Sequence, residues 1–225
     1  MATNSAFYKK INSELNDKNA TLVAVSKTKP AEDIKELYDL GQKDFGENYV
    51  QELTEKYDRL PKDIRWHFIG HLQTNKVKYI TPFVSLIQSV DSFKLLKEIN
   101  KEAEKNKRVI HCLLQMHIAK EETKFGLDDK ELDEIIGNIN QKENDLKNIF
   151  IDGLMGMASF TDQTETVKKE FQNLKNLFDK YSSIETENCH LKILSMGMST
   201  DYKMAIEEGS SMVRIGSLLF GKRNA

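Results

Sequence analysis

Cysteine is nearly absent from this sequence: Cys112 and Cys189 are the two among 225 residues, and neither stands in a CxxC or Cys/His ligand pattern. Two thiols cannot build a disulfide framework, so both are expected to be reduced, buried packing residues. Ligand-like spacing of histidines and carboxylates is missing as well, and no metal site is predicted. A strong charge of one sign is lacking too. The 33 basic and 35 acidic residues leave a formal net charge of -2, too weak a field to draw nucleic acid or an anionic membrane. No apolar run approaches the length that spans a bilayer, and no basic segment leads into an apolar run and a small-residue cleavage site. The expectation is a cytoplasmic protein with a small-molecule partner. With no Pro/Ser/Gly-rich linker anywhere, residues 1–225 read as one domain around one large core.

What is present is alternation. Short apolar runs are separated by longer amphipathic stretches from end to end, the pattern of a parallel sheet with helical crossovers. After an opening helix around Phe7 to Leu15, strands are predicted at Thr21–Ser26, Asp44–Glu47, Trp66–Gly70, Val84–Val90 and Val109–Ile118. Further strands are predicted at Ile149–Met157, Lys192–Ser195 and Met212–Ile215, with helices at Pro30–Leu40, Thr164–Tyr181 and Tyr202–Glu208 among the connections. About eight strand-plus-helix units result, the number that closes a (β/α)8 TIM-type barrel. Periodicity does not see closure, and an open doubly wound sheet is the rival.

In a barrel, chemistry sits where strands end at their carboxyl side. Lys27, in Ser26-Lys-Thr-Lys-Pro30, shares side-chain parity with Val23 and Val25. A lysine held there can attack a carbonyl, whereas elsewhere it would be one more solvated lysine. Lys29 precedes a helix start, where a cation is poorly placed. Two strand ends turn through glycine: Leu194-Ser-Met-Gly-Met-Ser-Thr-Asp201 and Val213-Arg-Ile-Gly-Ser217. Loops after the last two strands are where barrels often receive phosphate, although capping residues alone also explain the first, and Arg214 could serve as a structural ion-pair partner. Asn48 and Gln51 could donate into the mouth. His67, between Trp66 and Phe68, reads as a satisfied core histidine.

Taken together, Val25-Ser-Lys-Thr-Lys-Pro30, Phe45-Gly-Glu-Asn-Tyr-Val-Gln-Glu52, Trp66-His-Phe-Ile-Gly70, Leu72-Gln-Thr-Asn-Lys76, Ser195-Met-Gly-Met-Ser199 and Val213-Arg-Ile-Gly216 closely resemble the pyridoxal phosphate homeostasis proteins of the YggS/PROSC type. Lys124-Phe-Gly-Leu127 and Gly153-Leu-Met155 extend the resemblance over nearly the whole chain. It implies a fold like the N-terminal barrel of alanine racemase, with pyridoxal 5'-phosphate held as an imine on Lys27. It places the phosphate on Ser199, Thr200, Gly216 and Ser217, Asn48 beside the cofactor, and Arg214 at its ring nitrogen or phosphate.

The implied role is to hold, buffer or hand over the cofactor in vitamin B6 homeostasis, with pyridoxal-phosphate-dependent apoenzymes as partners. No catalysis is implied, because racemases of this fold draw a second acid/base from an additional β-domain, for which the residues after Ile215 leave no room. A monomer is expected for the same reason. The enzyme alternative is an amino-acid racemase or decarboxylase acting at Lys27, with Tyr202 or His67 as proton shuttle. A phosphosugar-type barrel enzyme without the cofactor would use the glycine turns and leave Lys27 idle.

Overall fold

A computed structural model describes residues 3–119, 125–139, 141 and 146–221. Strands β1 (Thr21–Val25), β2 (Asp44–Glu47), β3 (Arg65–Phe68), β4 (Leu86–Val90), β5 (Ile110–Met116) and β6 (Ile149–Gly156) follow one another around a sheet. The two-residue β7 (Glu185–Thr186) pairs antiparallel with β8 (Cys189–Ser195), and β9 is Met212–Ile215. β9 lies beside β1, and β8 pairs in parallel with β6 through Gly153↔Ile193 and Leu154↔Leu194. That last pairing closes eight parallel strands into a barrel. An open doubly wound sheet would leave two free edges here, so the rival architecture is excluded.

The helices form the outer layer: α1 (Ser5–Asn16), α2 (Ala31–Asp39), α3 (Val50–Arg59), α4 (Val77–Ile80) and α5 (Phe93–Lys105). They continue with α6 (Asp129–Ile139), α7 (Thr164–Tyr181), α8 (Tyr202–Glu207) and α9 (Ser217–Phe220). α2 shows how the sequence dictates the layer. Its buried residues Ala31, Ile34 and Leu37 recur at helical spacing, Pro30 takes the N-cap position, and Gly41 follows with φ of 103°.

Alternation along the strands divides the core in two. Leu22 and Ala24 of β1 point outward and join the large cluster between sheet and helices. Val23 points inward, where it packs with Leu86, Leu113, Met155 and Met212. Each such side chain, fully buried, contributes about 1.5–3 kcal/mol of transfer free energy. Both cysteines are buried, and burial pushes their thiols up, Cys189 to about 11, which makes them inert packing groups as expected. Among the described residues, no helix is long and apolar enough to cross a membrane, and no cluster of His, Cys, Asp or Glu could hold a metal ion.

Candidate functional site

The inward rows of the strands continue past their carboxyl ends and meet in a cavity of about 340 Å³. Val25 and Lys27 extend the row of Val23, Asn48 extends β2, Ile69 extends β3, and Arg214 belongs to the inward row of β9. Lys27, Asn48, Ser199, Thr200, Arg214, Gly216 and Ser217, the seven residues predicted to form a site, all line this one space.

The turn that carries Lys27 is fixed from three sides. Ser26 Oγ donates to Glu47 Oε1 (2.6 Å), the Ser26 carbonyl accepts from Lys56 Nζ (2.7 Å), and Thr28 N–H donates to Glu52 Oε1 (2.6 Å). Thr28 has φ of 64°, a left-handed conformation that a β-branched residue adopts only when its surroundings impose it. Lys56 Nζ also reaches Glu47 Oε1 and Glu52 Oε1, each at 2.6 Å. One ammonium thus serves two carboxylates. The backbone around Lys27 is preorganised.

Burial pushes the Glu47 carboxyl up from 4.5 to about 7, against the charge and hydrogen bond of Lys56, and Glu52 adds to the rise. The native protein therefore holds this proton more tightly than the unfolded chain does. The group's contribution to stability is complete below about 4.5 and is lost as pH rises through about 7. Across that window the wild type should lose up to about 3 kcal/mol that Glu47→Gln does not lose. Urea unfolding of both proteins at a series of pH values checks this, and parallel curves would contradict it.

On the opposite wall, Arg214 is 4% exposed and donates to Ser195 O (2.9 Å), Ser195 Oγ (2.7 Å) and Gly156 O (2.9 Å). Desolvation pulls its guanidinium down to about 10, with the nearby Asp201 charge opposing, so it remains a cation at neutral pH. Its partners are neutral oxygens, and among the described residues it forms no ion pair, contrary to the structural alternative. Asn48 Oδ1 is buried and has no hydrogen-bond partner among the described residues. The Asn48 backbone approaches Gly70 so closely that a Cβ there would lie 2.3 Å from the Asn48 carbonyl oxygen.

The last wall is made by the two glycine turns. Gly197 has φ of 94°, and a Cβ on it would meet Ala205 Cβ at 2.5 Å, so the chain can enter α8 this tightly only without a side chain. Gly216 N–H donates to Ser199 Oγ (3.3 Å), which ties the two turns together. Among the described residues, the backbone N–H groups of Ser199, Thr200 and Ser217 donate to no backbone carbonyl of the surrounding turns. An amine at one end and hydroxyls, backbone N–H groups and a buried cation at the other suit a ligand with an electrophilic carbon and an anionic group.

Residues 6–224 match the family model described as alanine racemase, N-terminal domain. The pyridoxal phosphate homeostasis protein of Aquifex aeolicus is 44% identical, over 91% of this chain and 87% of that protein. The chain belongs to the pyridoxal phosphate homeostasis protein family. Among solved structures, PipY of Synechococcus elongatus, determined with pyridoxal phosphate bound, superposes with a TM-score of 0.81 at 33% identity, over 90% of this chain and 93% of PipY. Alanine racemase from Streptomyces coelicolor shares the barrel, with a TM-score of 0.72 at 15% identity over 93% of this chain and 56% of the racemase.

Within this homeostasis-family barrel, His67 is the satisfied core histidine predicted from its neighbours, bonded to Asp44 and Gln88, and three side chains weighed for the mouth lie away from it. Gln51 does not reach the mouth: its Nε2 donates to Glu55 Oε1 (3.1 Å) on the exposed side of α3. Tyr202 is buried beside a neighbouring cavity and His67 lies deep in the barrel, so neither proposed proton shuttle lines the site. Lys124, the first residue of one shared motif, lies outside the described residues. The clamp of Glu47, Glu52 and Lys56 went unforeseen. The i,i+4 spacing of Glu52 and Lys56 signals a helix pair, but nothing in it says that the pair grips the turn after β1.

Proposed function

We propose that this protein holds pyridoxal 5'-phosphate as an imine on Lys27 and serves intracellular vitamin B6 homeostasis, binding and releasing the cofactor without robust catalysis. When bound, the cofactor supplies an aldehyde that an amine captures with loss of water. The cavity's own groups fit it. Lys27 is the amine on the preorganised turn, the backbone N–H groups and hydroxyls of Ser199, Thr200 and Ser217 with Gly216 receive the phosphate, and Asn48 and Arg214 supply polar contacts to the ring and its substituents. The resemblance to PipY, solved with the same cofactor, supports the assignment.

The observation that carries the non-catalytic reading is the set of titratable groups that line the cavity among the described residues: Lys27, Lys29 and Arg214. Racemisation removes an α-proton from one face and delivers one to the other, which requires two acid/base groups on opposite sides. Lys29 Nζ is committed to the Phe220 carbonyl (2.8 Å), and Arg214 stays charged, so neither can take the second role. The proposed protein acts as a monomer in the cytoplasm and passes its cofactor to dependent apoenzymes.

The purified protein loaded with pyridoxal phosphate and given a panel of L- and D-amino acids is expected to show slow imine exchange and no accumulation of the opposite enantiomer or of amine. Racemisation or decarboxylation that disappears in Lys27→Ala would make the chain an enzyme.

A further inference from the structure

Below the cavity, the barrel interior is crossed by a continuous chain of polar side chains. Arg214 Nη1 donates to Ser195 Oγ (2.7 Å), and Ser195 Oγ donates to Gln88 Oε1 (2.7 Å). Gln88 Nε2 lies 2.9 Å from His67 Nδ1, and His67 Nε2 lies 3.1 Å from Asp44 Oδ1. Asp44 is gripped by Arg65 through Nε at 2.7 Å and Nη2 at 2.5 Å. Burial works to raise the Asp44 carboxyl, but Arg65 and His67 outweigh it and hold the group at about 2. At neutral pH the chain therefore ends on a carboxylate.

One assignment of hydrogens satisfies every link. The carboxylate requires a proton on His67 Nε2, which leaves a lone pair on Nδ1. That lone pair takes Gln88 Nε2–H, so Gln88 Oε1 faces Ser195 and accepts its hydroxyl hydrogen. The Ser195 lone pairs are then turned to Arg214. Reversing the Gln88 amide would demand a proton on Nδ1, leave the Ser195 hydrogen without this acceptor, and set an amide oxygen against Met212 Sδ, now 3.2 Å from Nε2. Three of the five guanidinium N–H bonds of Arg214 are consumed inside the barrel, which leaves two for the cavity it lines.

We propose that His67 is a positioning residue: through Gln88 and Ser195 it fixes the orientation of the Arg214 guanidinium, and with it the donors presented to a bound cofactor. This rests on the reading of the cavity as the pyridoxal phosphate site. Its mechanism is polarity rather than contact. The tautomer of a histidine that never touches the ligand selects the amide orientation of Gln88, which selects the hydroxyl orientation of Ser195.

The test has one arm that needs no cofactor. Nitrogen-15 spectra of the cofactor-free protein at neutral pH should show His67 as the Nε2–H tautomer, and a proton on Nδ1 instead would overturn the proposal. In the second arm, His67→Leu should weaken pyridoxal phosphate binding about tenfold and shift the absorption maximum of the bound cofactor. His67→Asn places an amide oxygen near the position of Nδ1 and should recover most of that loss. Ser195→Ala breaks the same chain next to Arg214, and its effect should not add to that of His67→Leu in the double variant. If His67→Leu fails to fold, the pair Ser195→Ala and Gln88→Met takes its place in the cycle. Wild-type affinity and spectrum in the broken chain, additive losses, or no rescue by asparagine would overturn the positioning role. A wild type that binds no cofactor would instead overturn the reading of the cavity, whatever the tautomer.

Discussion

Lys27→Ala is expected to abolish the borohydride-trapped pyridoxyl adduct completely while shifting the free energy of unfolding by no more than about 0.5 kcal/mol. Both halves follow from where the side chain lies. Lys27 stands beyond the last inward core residue of its strand, at the wall of the cavity, so little packing is lost with it. The turn that carries it is held by Ser26 and Thr28 and by the carboxylates and ammonium around them, none of which the substitution touches. Lys29 provides the internal control. It lines the same cavity, but its Nζ donates to the Phe220 carbonyl (2.8 Å) and so secures the end of α9. Lys29→Ala should keep the adduct and loosen that contact. Peptide mapping by mass spectrometry after reduction distinguishes the two amines, and an adduct that survives in Lys27→Ala would move the attachment site.

The difference between these two lysines was legible in the sequence because Lys29 immediately precedes the proline that opens a helix, where a cation is poorly placed, whereas Lys27 follows the strand whose parity is a local property. Val23, Val25 and Lys27 alternate with Leu22, Ala24 and Ser26 whatever the rest of the chain does, whereas the inward rows of Asn48 and Arg214 became visible only in the folded barrel. Eight strand-and-helix units could be counted because their alternation is local too. Closure could not, since it depends on β6 meeting β8 across a separation that no periodicity records. The β7–β8 hairpin also escaped, because a two-residue strand carries no pattern. Polar contacts between elements are the least legible class. Glu47, Lys56, His67 and Gln88 each sit in apolar or amphipathic stretches where a single polar residue has many possible fates, and the fold alone decides which pairs meet. Sequence reasoning therefore found residues that line the cavity and missed the polar side chains packed behind them.

The second large effect is predicted at the two turns. Ser199→Asp combined with Ser217→Asp should weaken pyridoxal phosphate binding by at least about a hundredfold, far beyond the deletion of the hydroxyls. Losing one hydrogen bond typically forfeits about 1 kcal/mol net. Two like charges about 5 Å apart at an effective dielectric constant of about 20 repel by about 3 kcal/mol, and each aspartate would face a phosphate carrying nearly two charges. Gly216 is the less informative place for the charge, because a Cβ there lies 3.1 Å from the Val25 carbonyl oxygen and 3.4 Å from Val25 Cβ, so steric displacement would mix with repulsion. Ser199 and Ser217 already carry a Cβ. Ser199→Asn with Ser217→Asn keeps the size and removes the charge, and should bind within about tenfold of wild type. Raising the salt concentration should recover part of the loss in the aspartate variant and none in the asparagine variant. Pyridoxal without its phosphate, titrated against the same proteins, should bind the wild type and the aspartate variant alike. Unchanged affinity for the phosphorylated cofactor in a folded aspartate variant would mean that the anion is received elsewhere in the barrel mouth, and the backbone N–H groups of these turns would need another ligand.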